Sequence, residues 1–476
     1  MAETTRVEKD SMGEMTVPSE ALYGASTQRA VLNFPISGRP VPAEVVHAFG
    51  YLKAAAARVN LALGTLDEER AKLIENAALE VAEGKLDDHF PVDVFQTGSG
   101  TSTNMNANEV IANRCSQLAG KPIGSKDPVH PNDHVNYGQS SNDTFPTALH
   151  VGAVLAVQNK LIPALKKLQS ALDDKARQWD KVVKIGRTHL QDATPIRLGQ
   201  EFSGYAAQTA NALARAGAAV EVLSELAIGG TAVGTGLNTH PDFAAGVCEQ
   251  LNQLVDANFN EADNHFEAQA AKDGVVEASG LMKTVAVSLS KIANDIRWLG
   301  SGPRCGLGEL VLPAIQPGSS IMPGKVNPVI CESVVQVAAQ VIANDAAVTY
   351  GGFGGVGSII DLNVAMPLMA RNLLESINLL ASVSDVFVDK LIADLDVDAD
   401  RCGELIEKSL AMCTSLAPVV GYDTAAAIAK QAFKEGRTVR EVAESHIDSE
   451  EMDLSKERLA ELLEPMSMTE PGVKEA

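Results

Sequence analysis

Gly318-Ser319-Ser320, followed by Met322-Pro323-Gly324-Lys325-Val326-Asn327-Pro328, brings two hydroxyls, an ammonium and a carboxamide into one glycine- and proline-rich stretch. Glycines let successive backbone N–H groups converge on an anion. Lys325 adds charge, Asn327 a neutral donor, and Ser319 or Ser320 a hydroxyl. This is equipment for stabilising negative charge as it develops on a substrate. Taken on composition alone, the same stretch is equally well a connector with incidental polar residues.

Two further polar clusters stand where helices are expected to begin. Gly98-Ser99-Gly100-Thr101-Ser102-Thr103-Asn104 precedes an apolar-periodic run, and so does Ser140-Ser141-Asn142-Asp143. Helix starts carry unpaired N–H groups and a positive dipole end, which favours bound carboxylates. Ordinary N-capping by Ser, Thr and Asn explains either cluster alone. Together with a cationic loop and the Thr188-His189 pair in Lys184-Ile185-Gly186-Arg187-Thr188-His189, coincidence becomes the weaker explanation.

Other motifs fail on context. Gly352-Phe353-Gly354-Gly355-Val356-Gly357 fits G-x-G-x-x-G but follows a helical pattern rather than a strand, so a dinucleotide site is not expected. His130 and His134 flank Pro131 and Asn132, which do not suit a metal-binding helix, and no other His/Cys spacing suits zinc. There is no G-x-S-x-G elbow, and Ser320 to Lys325 is too wide for S-x-x-K. Neither cofactor nor metal is expected.

The elements that must hold these groups are long helices. Apolar residues recur at three- and four-residue steps in five runs. These lie around Val151 to Leu172, Phe202 to Leu223, Phe266 to Leu299, Val334 to Ile342 and Leu368 to Val383. Several runs are apolar on more than one side, so a five-helix bundle that packs against copies of itself is expected. Aromatic content of 4% against 45% hydrophobic means that the packing relies on Ala, Val, Leu and Ile. Residues 300–328 interrupt the helices, and a loop of that length with apolar content reads as functional rather than disordered. The expected domains are 1–140, mixing short helical patterns with loops; 141–365, the bundle with its loop; and 366–476, ending in short charge-rich helices.

A chain of 476 residues exceeds one simple core. The net charge of −22 disfavours nucleic acid and anionic membranes. It also means that an anionic substrate needs positive potential supplied locally. Six cysteines without a C-x-x-C pair suggest reduced thiols in a cytosolic protein. The N-terminus carries no apolar signal region, and no apolar run is long enough to span a bilayer.

The loop 318–328 resembles the signature loop of the fumarase/aspartase superfamily. Similar blocks run in family order: Gly98 to Asn106, His130-Pro131-Asn132-Asp133, Ser140 to Asp143, Gly186 to Ala193, Gly229 to Gly236 and Ser301 to Gly306. Gly324 resembles fumarases and aspartases more than argininosuccinate or adenylosuccinate lyases; Ser141-Asn142-Asp143 and Cys331-Glu332 resemble the class II fumarases, whereas His134 is aspartase-like, and Tyr137-Gly138 departs from typical fumarases. The resemblance implies a mainly α, three-domain fold whose central bundle joins five helices from each subunit of a homotetramer, with each active site drawing on three chains. It implies reversible hydration of fumarate to (S)-malate, with aspartate ammonia-lyase as the nearest alternative. A non-catalytic structural relative and a Ser–Lys hydrolase are remoter.

By the same resemblance Ser319 is the base and His189 the proton donor to the leaving hydroxyl, oriented by Glu332. The reverse assignment stays open. Lys325 and Asn327 would stabilise the aci-carboxylate. Ser99, Gly100, Thr101, Ser140, Ser141, Asn142, Thr188, Ser320 and Val326 would complete the dicarboxylate pocket. His130, Pro131, Asn132 and Asp133 would form an accessory carboxylate site, which the departure at His134 puts in question.

Overall fold

The computed structural model describes residues 4–472, which are mostly helical. The strands pair only in two-stranded ladders, among the described residues. The largest of these are an N-terminal hairpin, Thr5–Asp10 with Gly13–Pro18, and a second hairpin, Val183–Thr188 with Gln191–Arg197.

Four of the five periodic runs lie in long helices. Ser141–Ala156 continues through a π-turn into Ile162–Gln178, and the others are Leu198–Val222, Val329–Gly352 and Met366–Phe387. The stretch Ser141–Gln178 is long and apolar enough to cross a bilayer, yet 61% of its most apolar window is buried inside the protein. The fifth run departs from expectation. Phe266 belongs to a separate short helix, His265–Ala270, and the long helix is Asp273–Leu299. The Asn264 side chain caps the short helix, and Ala271 turns extended at φ −94° and ψ 169°. Lys272 then closes the break by donating to the carbonyls of Ala268, Gln269 and Ala271.

The N-terminal region is more regular than its sequence pattern suggests. Ala43–Ala62, Glu68–Ala82 and Thr101–Leu118 are full helices. In the first, Ala54 to Ala57 are all buried, so apolar content runs right round the helix and no single stripe marks it. Gly50 explains how close the packing is: a Cβ there would lie 2.3 Å from the backbone nitrogen of Ala82. Small residues do the packing here that aromatics do elsewhere.

The chain divides into two compact units. One comprises residues up to Ala164 with Leu213–Val287 and Val337–Ser382; the other comprises Leu165–Ala212, Ser288–Gln336 and residues from Val383 onward. In the second unit Ile185 of the 183–197 hairpin is buried in a cluster with Ile406, Leu416, Ile428, Val442 and Leu459. The hairpin's base is therefore fixed while its tip is exposed.

Candidate active site

In the first unit two helix starts meet. Gly100, at φ +74°, is the N-cap of Thr101–Leu118. The aromatic ring of Phe145 would lie 2.0 Å from a Cβ at this position, so both backbone and space demand glycine. Gly98 is equally constrained, with the Val364 carbonyl 1.6 Å from where a Cβ would stand. The Thr101 hydroxyl lies 2.8 Å from both Ser99 Oγ and Ser141 Oγ. Ser140 caps the second helix. Its hydroxyl accepts from the Asn142 N–H at 3.2 Å, and the Asp143 carboxylate accepts from the Ser140 N–H at 2.9 Å. The ordinary capping role is thus real, and it orients the helix N-terminus as an anion site would require.

Asp143 also accepts from the N–H groups of Gly229 and Thr231, and Asn142 donates to the Ala232 carbonyl at 2.7 Å. The glycine-rich segment 229–236 is thereby pinned against the same helix start. Burial pushes the Asp143 carboxyl upward, against the opposing effect of these N–H groups.

In the second unit the loop 318–328 folds back on itself. The Gly318 N–H donates to the Lys325 carbonyl at 2.9 Å, and Asn327 Nδ2 donates to the Gly318 carbonyl at 2.7 Å. A Cβ on Gly318 would stand 2.3 Å from that Lys325 oxygen. Ser319 Oγ accepts from the N–H groups of Ile321 and Met322, each at 3.2 Å. Two donors on one hydroxyl oxygen favour its anionic form, although the same geometry is a local serine turn. Ser320, Lys325 and Val326 are exposed. Asn327 commits one amide hydrogen to holding the loop, leaving the other.

His189 and Leu190 form the two-residue tip of the 183–197 hairpin, at φ +58° and +61°. Positive φ at both tip positions is what a type I′ turn requires, and it is costly for residues other than Gly, Asn or Asp. Thr188 and His189 are exposed, as is Glu332 in the first turn of Val329–Gly352. Among the described residues, no side-chain hydrogen bond within the chain joins His189 or Glu332 to the 318–328 loop; Glu332 meets it through its backbone N–H, which donates to the Pro328 carbonyl at 3.1 Å.

What holds the hairpin is a buried ion group that the sequence did not single out. Arg187 Nη1 lies 2.9 Å from Glu309 Oε2, and Lys184 Nζ lies 3.4 Å from the same oxygen and 3.1 Å from Glu201 Oε2. Lys184 and Glu309 are fully buried. Glu309 follows the glycine-rich segment after Leu299, so a carboxylate in that segment is the signal that points to it.

His130, Pro131 and Asn132 line a cavity of about 340 Å³ with Lys9, Lys126 and Asn113, and with the acidic Glu8, Asp10 and Glu109; Asp133 is not among its walls. His130 Nδ1 accepts from the N–H groups of Asn132 and Asp133. In that tautomer the 3.2 Å approach of Asp133 Oδ2 to the same nitrogen is no ion pair, because the nitrogen carries no proton.

Helix starts rich in hydroxyls, and a glycine loop that carries a lysine and a carboxamide, are groups of the kind that a carboxylate-handling lyase needs. The lyase family model matches residues 13–343, and the fumarase C C-terminal model matches 412–470. A class II fumarate hydratase from Xylella fastidiosa is 52% identical over 98% of this chain and 96% of that protein. Another, from Halobacterium salinarum, is 54% identical over 99% of each. The crystal structure of class II fumarase from Schistosoma mansoni superposes with a TM-score of 0.93 at 40% identity, covering 98% of this chain and 99% of that one. The chain belongs to the class II fumarate hydratase family. The aspartase alternative is not favoured.

Proposed function

We infer that this chain is a hydro-lyase that reversibly hydrates fumarate to (S)-malate, as in the tricarboxylic acid cycle. The observation that carries this reading is identity above 50%, across nearly the whole length, to proteins named class II fumarate hydratase. Incubating the purified protein separately with malate and with aspartate, and following fumarate absorbance, tests it. Fumarate from malate alone is expected; fumarate from aspartate alone would overturn it.

In the dehydration direction a proton leaves the carbon beside one malate carboxylate, and that carboxylate becomes a doubly charged aci-carboxylate. Ser319 takes the proton, its oxygen prepared by the Ile321 and Met322 N–H groups. Lys325 and the remaining Asn327 N–H lie on the same loop and meet the developing charge. His189, oriented by Glu332, gives a proton to the departing hydroxyl, directly or through water. Exchange of roles between Ser319 and His189 is the second form of the same scheme. Ser99, Gly100, Thr101, Ser140, Ser141, Asn142, Thr188, Ser320 and Val326 complete the dicarboxylate pocket. His130, Pro131, Asn132 and Asp133 serve as the accessory carboxylate site.

The working form is a homotetramer in the cytoplasm. The long helices carry exposed apolar side chains, among them Val287, Ile342 and Tyr350, which self-association would cover. Exposure of His189, Glu332 and Lys325 in one chain fits a site whose groups meet between subunits.

A further inference from the structure

Lys53 lies in the Ala-rich helix Ala43–Ala62 and is fully buried. A buried ammonium ordinarily has a carboxylate against it. Here Nζ instead donates to three carboxamide oxygens: Asn104 Oδ1 at 2.9 Å, Gln139 Oε1 at 2.9 Å and Asn136 Oδ1 at 3.1 Å. Three acceptors use all three of its hydrogens. Burial pushes the ammonium's pKa down, and the buried Asp143 is the carboxylate that opposes this.

The three acceptors belong to the segments that carry the dicarboxylate-binding hydroxyls. Asn104 stands in the first turn of Thr101–Leu118, beside Thr101. Asn136 and Gln139 lie in the stretch that runs into Ser140. Asn136 Oδ1 also accepts from Asn104 Nδ2 and Asn108 Nδ2, and Asn136 Nδ2 donates to the Gln139 carbonyl. Asn104 Oδ1 takes a further bond from the Thr144 hydroxyl, on the helix that begins at Ser141. One ammonium therefore fixes both helix starts, behind the point where the Thr101 and Ser141 hydroxyls meet.

We propose that Lys53 is a positioning residue for substrate binding, holding the Thr101 and Ser140–Asn142 helix starts in register through Asn104, Asn136 and Gln139. The proposal rests on the fumarate-hydrating reading of the site. A neutral side chain of similar length would leave three buried amide oxygens without their shared donor, and the register of the two starts would loosen. No reacting group touches Lys53, so the loss belongs in binding rather than in the chemical step.

The test is steady-state kinetics with fumarate on the wild-type protein and on Lys53→Met, Gln139→Leu and the double variant, each checked by thermal unfolding. Lys53→Met is expected to raise KM about tenfold, equivalent to about 1.4 kcal/mol, with kcat within about threefold of wild type. The double variant should raise KM by less than the product of the single effects, because both changes break one network. A folded Lys53→Met with unchanged KM, or one whose loss falls wholly on kcat, overturns the proposal. If Lys53→Met fails to fold, the KM of Gln139→Leu decides on the same criterion. Absence of turnover in the wild-type protein overturns the functional reading and this proposal with it; normal wild-type turnover with unchanged variant KM overturns the proposal alone.

Discussion

The hydroxyls of Thr101 and Ser141 meet at 2.8 Å, joining the first turns of two helices that begin forty residues apart in sequence. A helix start offers unpaired N–H groups and a positive dipole end, so in the proposed pocket the two joined starts would bind a carboxylate as one element.

Ser141→Ala leaves Thr101 its Ser99 partner but removes one side of the junction. KM for fumarate should rise about 10- to 150-fold, since one hydrogen bond to a charged ligand is worth roughly 1.5–3 kcal/mol. Thermal stability should barely change. Thr101→Ala and Ser141→Ala together should cost less than the product of the two, because they share this bond. Effects that multiply fully would show that the two hydroxyls act separately.

Ser319→Ala tests the base. General base catalysis contributes about 10²- to 10⁴-fold, so kcat for malate dehydration should fall within that range while KM changes little. If turnover survives and His189→Asn abolishes it instead, the exchanged roles are the correct ones.

Glu309→Ala removes the carboxylate between Arg187 and the buried Lys184. Stripping one partner from a buried ion group costs about 3–5 kcal/mol. Urea unfolding should report that loss. Residual activity below the unfolding transition should also fall, because Arg187 anchors the strand that ends at Thr188, next to His189 at the hairpin tip. Wild-type stability in this variant would mean that the group contributes nothing.

His150 gives a pH dependence with a definite sign. Burial, and then the nearby Lys272, push its pKa down to about 4, against about 6.5 in the unfolded chain. Between these values the unfolded chain holds the proton and the folded chain does not, so stability falls as pH drops from 6.5 through 4. The loss attributable to this histidine is roughly 3 kcal/mol. Unfolding midpoints at pH 7 and pH 4.5, compared between wild type and His150→Gln, should show a smaller acid loss in the variant. Equal losses would remove His150 as the cause.

Much of the candidate site's local geometry was legible because its chemistry is contiguous. Gly318, Ser319, Lys325 and Asn327 lie close in sequence, and the turn they make is closed by bonds among themselves. Helix capping at Ser140 is likewise a contiguous event that a four-residue pattern announces. The periodic runs located most of the long helices, because burial of one face repeats every three to four residues. The helix Ala43–Ala62 escaped that test, since it is buried on several sides and its alanines leave no stripe. The break at Ala271 escaped it too, because the period survives while the backbone turns extended.

Sequence alone was enough to name the family and to single out the short segments proposed to handle the anion, the loop 318–328 and the starts at Thr101 and Ser141, because each is a contiguous motif. What holds those segments emerges only in the folded chain. Lys53 and Gln139 are 86 positions apart, and Arg187 and Glu309 are 122 apart. Such pairings leave no local pattern: a lone lysine in an alanine-rich helix, or a glutamate after a glycine-rich turn, acquires its role from the distant groups that folding buries beside it.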